Sequence, residues 1–123
     1  VCPVMDARRN TFYNALYRNG EKLCDIRLIS GEELCAELAR RGERVCFVGD
    51  GTHALTRAMQ GSEFVIPTPE VLVRPSGFAA ALCAQRMYDE GVGVCTDTAL
   101  KPFYLRPTQA ERERLAALEG GEA

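Results

Sequence analysis

Three carboxylates, Asp6, Glu37 and Asp50, sit where a first strand, a first helix and a fourth strand are expected. Two-metal nucleases place acidic side chains on such elements, because two divalent cations about 4 Å apart must be held by several oxygen ligands. Each residue also has a plain structural reading. Asp6 caps a turn, Glu37 shares a solvated helix with Glu32 and Glu33, and Asp50 lies between glycines in a tight turn. The turn Gly49-Asp50-Gly51-Thr52 joins a strand to a helix, a setting in which backbone N–H groups can face a phosphate. It carries no lysine and no second motif, so a plain strand–helix turn is the favoured reading. His53 is the sole histidine, which leaves no partner for a histidine-based triad or metal pair and favours a first-turn helix position. Ser30 and Ser76 read as helix caps and Ser62 as a turn residue.

Composition narrows the classes. The chain has 123 residues, 46% hydrophobic and 26% charged, which fits one compact domain. A net charge of −2 offers no global basic field for nucleic acid, and this weighs against the nuclease. Among the cations only Lys22 and Lys101 are lysine; the arginines lie beside Asp and Glu, as on a solvated surface. The cysteines, Cys2, Cys24, Cys35, Cys46, Cys83 and Cys95, form no C-x-x-C pair. Cys24, Cys46 and Cys83 fall on expected core positions as small hydrophobes, and all six are expected to be reduced in a cytoplasmic protein. Phe12, Tyr13 and Tyr17 could stack bases, but in a meander such residues pack as core or cross-strand pairs.

The elements that position these residues follow from the pattern. Residues 1–5 read as a buried strand, in which Pro3 lacks a ladder donor and so faces an edge or a further segment. Arg8-Arg9-Asn10 is a polar turn, and Thr11–Arg18 is a strand. Asn19-Gly20 suits a type I′ hairpin. Over residues 22–29, Cys24, Ile26 and Leu28 point one way and Asp25 and Arg27 the other. Ser30-Gly31-Glu32-Glu33 is a capping box for a helix that buries Leu34, Cys35, Leu38 and Ala39 and stops at Gly42. Strand Val45–Val48, a short helix with Leu55, Ala58 and Met59 inward, and a strand over residues 64–67 follow. Residues 76–90 form the longest helix, with Phe78, Ala79, Leu82, Cys83 and Met87 inward. Phe103-Tyr104-Leu105, stiffened by Pro102 and Pro107, is expected to dock back on the domain, followed by a Thr108-x-x-Glu111 cap and a frayed end at residues 120–123.

The order β-β-β-α-β-α-β-α predicts an α/β fold of ribonuclease-H-like type, the lobe repeated in actin-like ATPases. Its mixed five-stranded sheet would carry helices on both faces. Because residues 1–5 open directly on a strand, the chain is expected to be the C-terminal half of a two-lobe protein whose N-terminal lobe is absent.

Two runs carry a family resemblance. Asp6-Ala7-Arg8-Arg9-Asn10-Thr11-Phe12-Tyr13-Asn14-Ala15-Leu16-Tyr17 resembles the segment that opens the second lobe of the bacterial TsaB (YeaZ) family. Pro102-Phe103-Tyr104-Leu105-Arg106 resembles the signature near that family's end, with Leu28-Ile29-Ser30-Gly31-Glu32-Glu33-Leu34 and Gly49-Asp50-Gly51 in order between them. The resemblance implies an accessory, non-catalytic scaffold or dimerisation subunit in threonylcarbamoyladenosine synthesis on tRNA. It also implies a TsaD-type transferase and a TsaE-type ATPase as partners, met mainly through the absent lobe, indirect contact with tRNA and no cofactor. Asp6, Ala7, Arg8, Tyr13, Pro102, Tyr104, Leu105 and Arg106 are the motif residues, and Gly49, Asp50 and Gly51 would be a relic of a nucleotide turn. The wider family bears the name glycoprotease, yet no protease centre is visible here. The competing class is the metal nuclease built on Asp6, Glu37 and Asp50.

Overall fold

The computed structural model describes residues 1–105, 107 and 109–119. It is an α/β structure whose strands form one mixed five-stranded sheet, in the order β3-β2-β1-β4-β5. β1 (Cys2–Asp6), β2 (Thr11–Arg18) and β3 (Glu21–Ser30) make an antiparallel meander, and β4 (Val45–Val48) runs parallel to β1. β5 (Val65–Ile66) continues the parallel side. No described helix is long and apolar enough to cross a membrane.

Local chemistry explains most of these elements. Asn19 and Gly20 both adopt positive φ, 51° and 86°, as a type I′ turn requires. α1 (Gly31–Arg41) starts at a complete capping box: the Glu33 N–H donates to Ser30 Oγ, and the Ser30 N–H donates to the Glu33 carboxylate. It ends at Gly42, φ 61°, whose N–H donates to the Leu38 carbonyl. With α2 (Thr52–Ala58) it covers one face of the sheet. Cys2, Val4, Phe12, Leu16, Leu34, Leu38, Phe47 and Leu55 make the core between them. Burying each of the larger aliphatic side chains contributes about 1.5–3 kcal/mol before entropic losses.

β3 departs from simple alternation. Asn14 pairs with Arg27, whereas Leu16 pairs with Cys24, so β3 advances one residue more than β2 and the ladder shifts register. Cys24 therefore packs toward the core. Leu28, opposite Tyr13, lies on the other face, and the expected common face of Cys24, Ile26 and Leu28 is broken. Ile26 is exposed.

Pro3 also sits elsewhere than its missing donor suggested. The hydrogen bonds between Val1 and Tyr17 set the phase in which Pro3 would next bond Ala15 across the ladder. With no N–H from Pro3, the Ala15 carbonyl takes the Asn14 side-chain amide at 2.9 Å. A proline is thus accommodated inside the sheet, and a buried asparagine serves as its substitute donor.

The largest correction concerns α3 (Gly77–Asp89). It begins at a Ser76 cap but buries none of its residues, so Phe78, Ala79, Leu82, Cys83 and Met87 are exposed, and among the described residues no helix is buried against the second sheet face. Ala39 and Ala58 are exposed as well, and in β1 only Cys2 and Val4 are fully buried. The fifth strand is shorter than residues 64–67. Phe103 and Tyr104 are 74% and 79% exposed, so the expected docking does not hold for these two rings, while Leu105 is half-buried. α4 spans Gln109–Glu119, while Arg106, the Thr108 cap and residues 120–123 lie outside the described residues.

Candidate functional site

β1 and β4 are parallel neighbours and end at the same edge, where α/β sheets commonly bind ligands. That topology brings Asp6 and Asp50 together: the Asp6 N–H donates to Asp50 Oδ1 at 2.9 Å. The Asp6 carboxylate turns the other way, accepts the Arg8 N–H at 2.7 Å and lies 3.7 Å from the Arg8 guanidinium. Arg8, Arg9 and Asn10 are all left-handed, with φ of 68°, 54° and 56°. Such backbone costs on the order of 1 kcal/mol or more per residue. It is held by the Ala7 N–H to the Thr11 carbonyl, the Thr11 N–H to the Arg8 carbonyl, and the Asn10 side chain to Glu32. Ala7 is buried beneath this loop.

The glycine turn is stitched to its neighbours. The Gly49 N–H donates to the Leu72 carbonyl, Gly51 to Val4 and Thr52 to Gly49, so these three amides are engaged within the chain. Gly49 has φ 103°, and a Cβ there would stand 2.4 Å from the Val4 carbonyl oxygen. The glycines therefore permit close approach of β4 to β1. Beneath the turn, the buried Thr52 hydroxyl has no hydrogen-bond partner among the described residues.

Glu37 belongs to a different cluster. Its carboxylate takes Arg27 at 2.6 Å and Arg41 at 3.1 Å, and Arg27 also donates to the buried Asn14 Oδ1 at 3.2 Å. Burial works to raise the Glu37 carboxyl, but the hydrogen bonds from the two arginines outweigh it and hold it below its ordinary range. Asn14 Nδ2 contacts Cys2 Sγ, the Pro3 carbonyl and the Ala15 carbonyl. Among the described residues no three of His, Cys, Asp and Glu come together as a metal-ligand group. His53 lies 3.6 Å from Glu70, with both side chains exposed.

All six thiols are unpaired. Cys2 is buried, Cys24, Cys35 and Cys46 are half-buried, and Cys83 and Cys95 are exposed, so the core placement expected of Cys83 does not hold. Burial pushes the Cys2 thiol up to about 12, which removes it from nucleophilic chemistry at neutral pH.

A further feature was not apparent from the motifs. Among the described residues no helix is buried against the sheet face opposite α1 and α2, and an open groove of about 460 Å³ runs along it. Met5, Tyr13, Tyr17, Ile26 and Val48 form its floor, with Leu72, Arg74 and Ala79 on the opposite side. Phe12 belongs to the core, whereas Tyr13 and Tyr17 are half-buried at the groove. The one sequence signal for it is the start of α3: residues 78–84 contain no polar side chain on any side, the pattern of a helix that is enclosed. Pro102, Tyr104 and Leu105, the later motif residues, are not among the groove residues.

Neither a scan against protein-family models nor a search of curated proteins returns a match to this chain.

Proposed function

We propose that this chain is a ribonuclease-H-like lobe acting as a non-catalytic scaffold, similar to the C-terminal lobe of the bacterial TsaB family. In this reading it supports a TsaD-type transferase subunit, with a TsaE-type ATPase, in threonylcarbamoyladenosine synthesis on cytoplasmic tRNA. The observation that carries the reading is the pairing of two resembling segments: Asp6-Ala7-Arg8 closes β1 beside Gly49-Asp50-Gly51, joined by the Asp6–Asp50 hydrogen bond. The meander followed by two parallel strands on the far side of β1 agrees with a ribonuclease-H-like lobe. The engagement of the Gly49, Gly51 and Thr52 amides agrees with a relic nucleotide turn.

The test compares this chain with a two-lobe protein that contains it, each mixed with the cognate TsaD-type subunit and resolved by size exclusion or native mass spectrometry. The two-lobe protein should form the complex and the present chain should not. Tight binding by this chain alone would move the partner surface onto this lobe. RNA cleavage with Mg²⁺ or Mn²⁺ that disappears in Asp6→Asn and Asp50→Asn would overturn the scaffold reading in favour of the nuclease.

A further inference from the structure

The tip of the β2–β3 hairpin joins an asparagine to the residue that leaves its side chain most open to the backbone. The chain holds three asparagines, Asn10, Asn14 and Asn19, and only Asn19 precedes a glycine. Asn10 is held by Glu32, and Asn14 is buried with its amide engaged. Asn19 and Gly20 are exposed, and neither the Asn19 side chain nor the Gly20 N–H has a hydrogen-bond partner among the described residues.

Asparagine is thermolabile because the next backbone nitrogen can attack its side-chain amide. Glycine has no Cβ to obstruct that approach. The Gly20 nitrogen gives its proton to hydroxide and forms a bond to Asn19 Cγ. The bond from Cγ to the side-chain nitrogen breaks, and that nitrogen leaves as ammonia with a proton from water. Water then opens the succinimide ring at either carbonyl, which yields aspartate or isoaspartate and adds a negative charge.

The turn holds this reaction back. With φ of 51° and 86°, Asn19 and Gly20 form a type I′ turn. In such a turn ψ of the first central residue is about +30°. That angle sets the Gly20 nitrogen nearly opposite Cβ across the Cα–C bond, out of reach of Cγ. Ring closure needs both on the same side, so the turn has to open first. Arg18 pairs with Glu21 to close the loop and is tied to Glu43 by an ion pair, and opening works against both.

The two products leave different hairpins. Asp-Gly suits a type I′ turn as Asn-Gly does. A carboxylate at position 19 would also share the rim of a shallow pocket of about 230 Å³ with Arg44, which has no carboxylate partner among the described residues. Isoaspartate routes the main chain through Cβ and lengthens a two-residue loop, so Arg18 and Glu21 cannot stay in register as its closing pair.

We propose that Asn19 is a self-modifying site gated by its own hairpin: opening of the turn commits it to a succinimide with Gly20, the aspartate product restores the turn, and the isoaspartate product unpairs the tip. This chemistry is independent of the scaffold role, since it uses only the hairpin tip.

The full chain, aged both folded and in denaturing urea, is mapped by peptide mass spectrometry with Asn19→Asp as the standard for one product. Deamidation should be confined to Asn19 and should quicken as pH rises. It should run on the order of tenfold or more slower in the folded chain than in the unfolded one. Asn19→Asp should keep the parent's melting temperature or exceed it. Aged chain warmed to just below that temperature and separated by size exclusion should carry its isoaspartate in the unfolded fraction. An Asn19 that stays intact in the folded chain would overturn the site, and equal rates in the two states would overturn the gate. Isoaspartate spread evenly between folded and unfolded fractions would overturn the split between products.

Discussion

Replacing Asn14 by Ala tests whether its side chain stands in for the N–H that Pro3 lacks. Asn14 is 2% exposed, and its amide reaches the Ala15 carbonyl at 2.9 Å while its oxygen receives Arg27. Removing it leaves the Ala15 carbonyl without a donor, at about 1–3 kcal/mol. The cavity adds about 1 kcal/mol, for a total of about 2–4 kcal/mol. Pro3→Ala restores a main-chain N–H facing Ala15. In that background the Asn14→Ala loss should shrink by about 1–2 kcal/mol, because the carbonyl regains a partner. Urea unfolding of the four proteins, followed by circular dichroism with a common m-value, gives the coupling energy directly. Additivity within about 0.5 kcal/mol would refute the substitution of side chain for backbone.

Arg27→Ala should cost about 2–3 kcal/mol, since it strips Asn14 Oδ1 of its donor and Glu37 of one of two arginines. The Glu37 carboxyl is depressed in the folded state, so its stabilisation is present above the unfolded value near pH 4.3 and lost as pH falls through the folded one. The parent chain should lose stability below about pH 4 more steeply than Arg27→Ala does, as chemical unfolding at several pH values would reveal. Thr52→Val removes a buried hydroxyl that has no partner among the described residues and keeps its shape; stability should rise by roughly 1 kcal/mol, read as a higher melting temperature. Phe103→Ala with Tyr104→Ala should change stability by less than about 0.5 kcal/mol, because both rings are free in solvent. Under alkylation of the native chain at pH 8, Cys95 should react early and Cys2 last, and early labelling of Cys2 would contradict its burial.

What was legible in the sequence is what neighbouring residues decide among themselves. Asn19-Gly20, the Ser30–Glu33 box and Gly42 act within a few residues of chain, and each does in the structure what its chemistry requires. The parallel pairing of β4 with β1 followed from element order, and with it the meeting of Asp6 with Asp50. Burial across elements was less accessible. The helical periodicity of α3 gives its shape but not whether a surface meets it, so Phe78, Leu82 and Cys83 were misplaced. The period-two reading of β3 failed where the ladder shifts register, between Asn14 and Leu16 and again between Leu16 and Tyr17, which no composition signal marks. Glu37 was grouped with Asp6 and Asp50 by position along the chain, whereas its partners, Arg27 and Arg41, come from an adjacent strand and its own helix.

The strand order has a consequence for assembly during synthesis. β1 is flanked by β2, which follows it at once, and by β4, which is made only after β3 and α1. The meander can therefore close early through contacts close in sequence, while the other side of β1 waits for a partner across a long loop. Pro3 does not protect that waiting side, since its missing N–H faces β2. Chains released before Val45–Val48 would present the unpaired backbone of β1 beside apolar Cys2 and Val4, a template for adding a foreign strand. Prematurely terminated products of this sequence should thus aggregate far more readily than the complete chain.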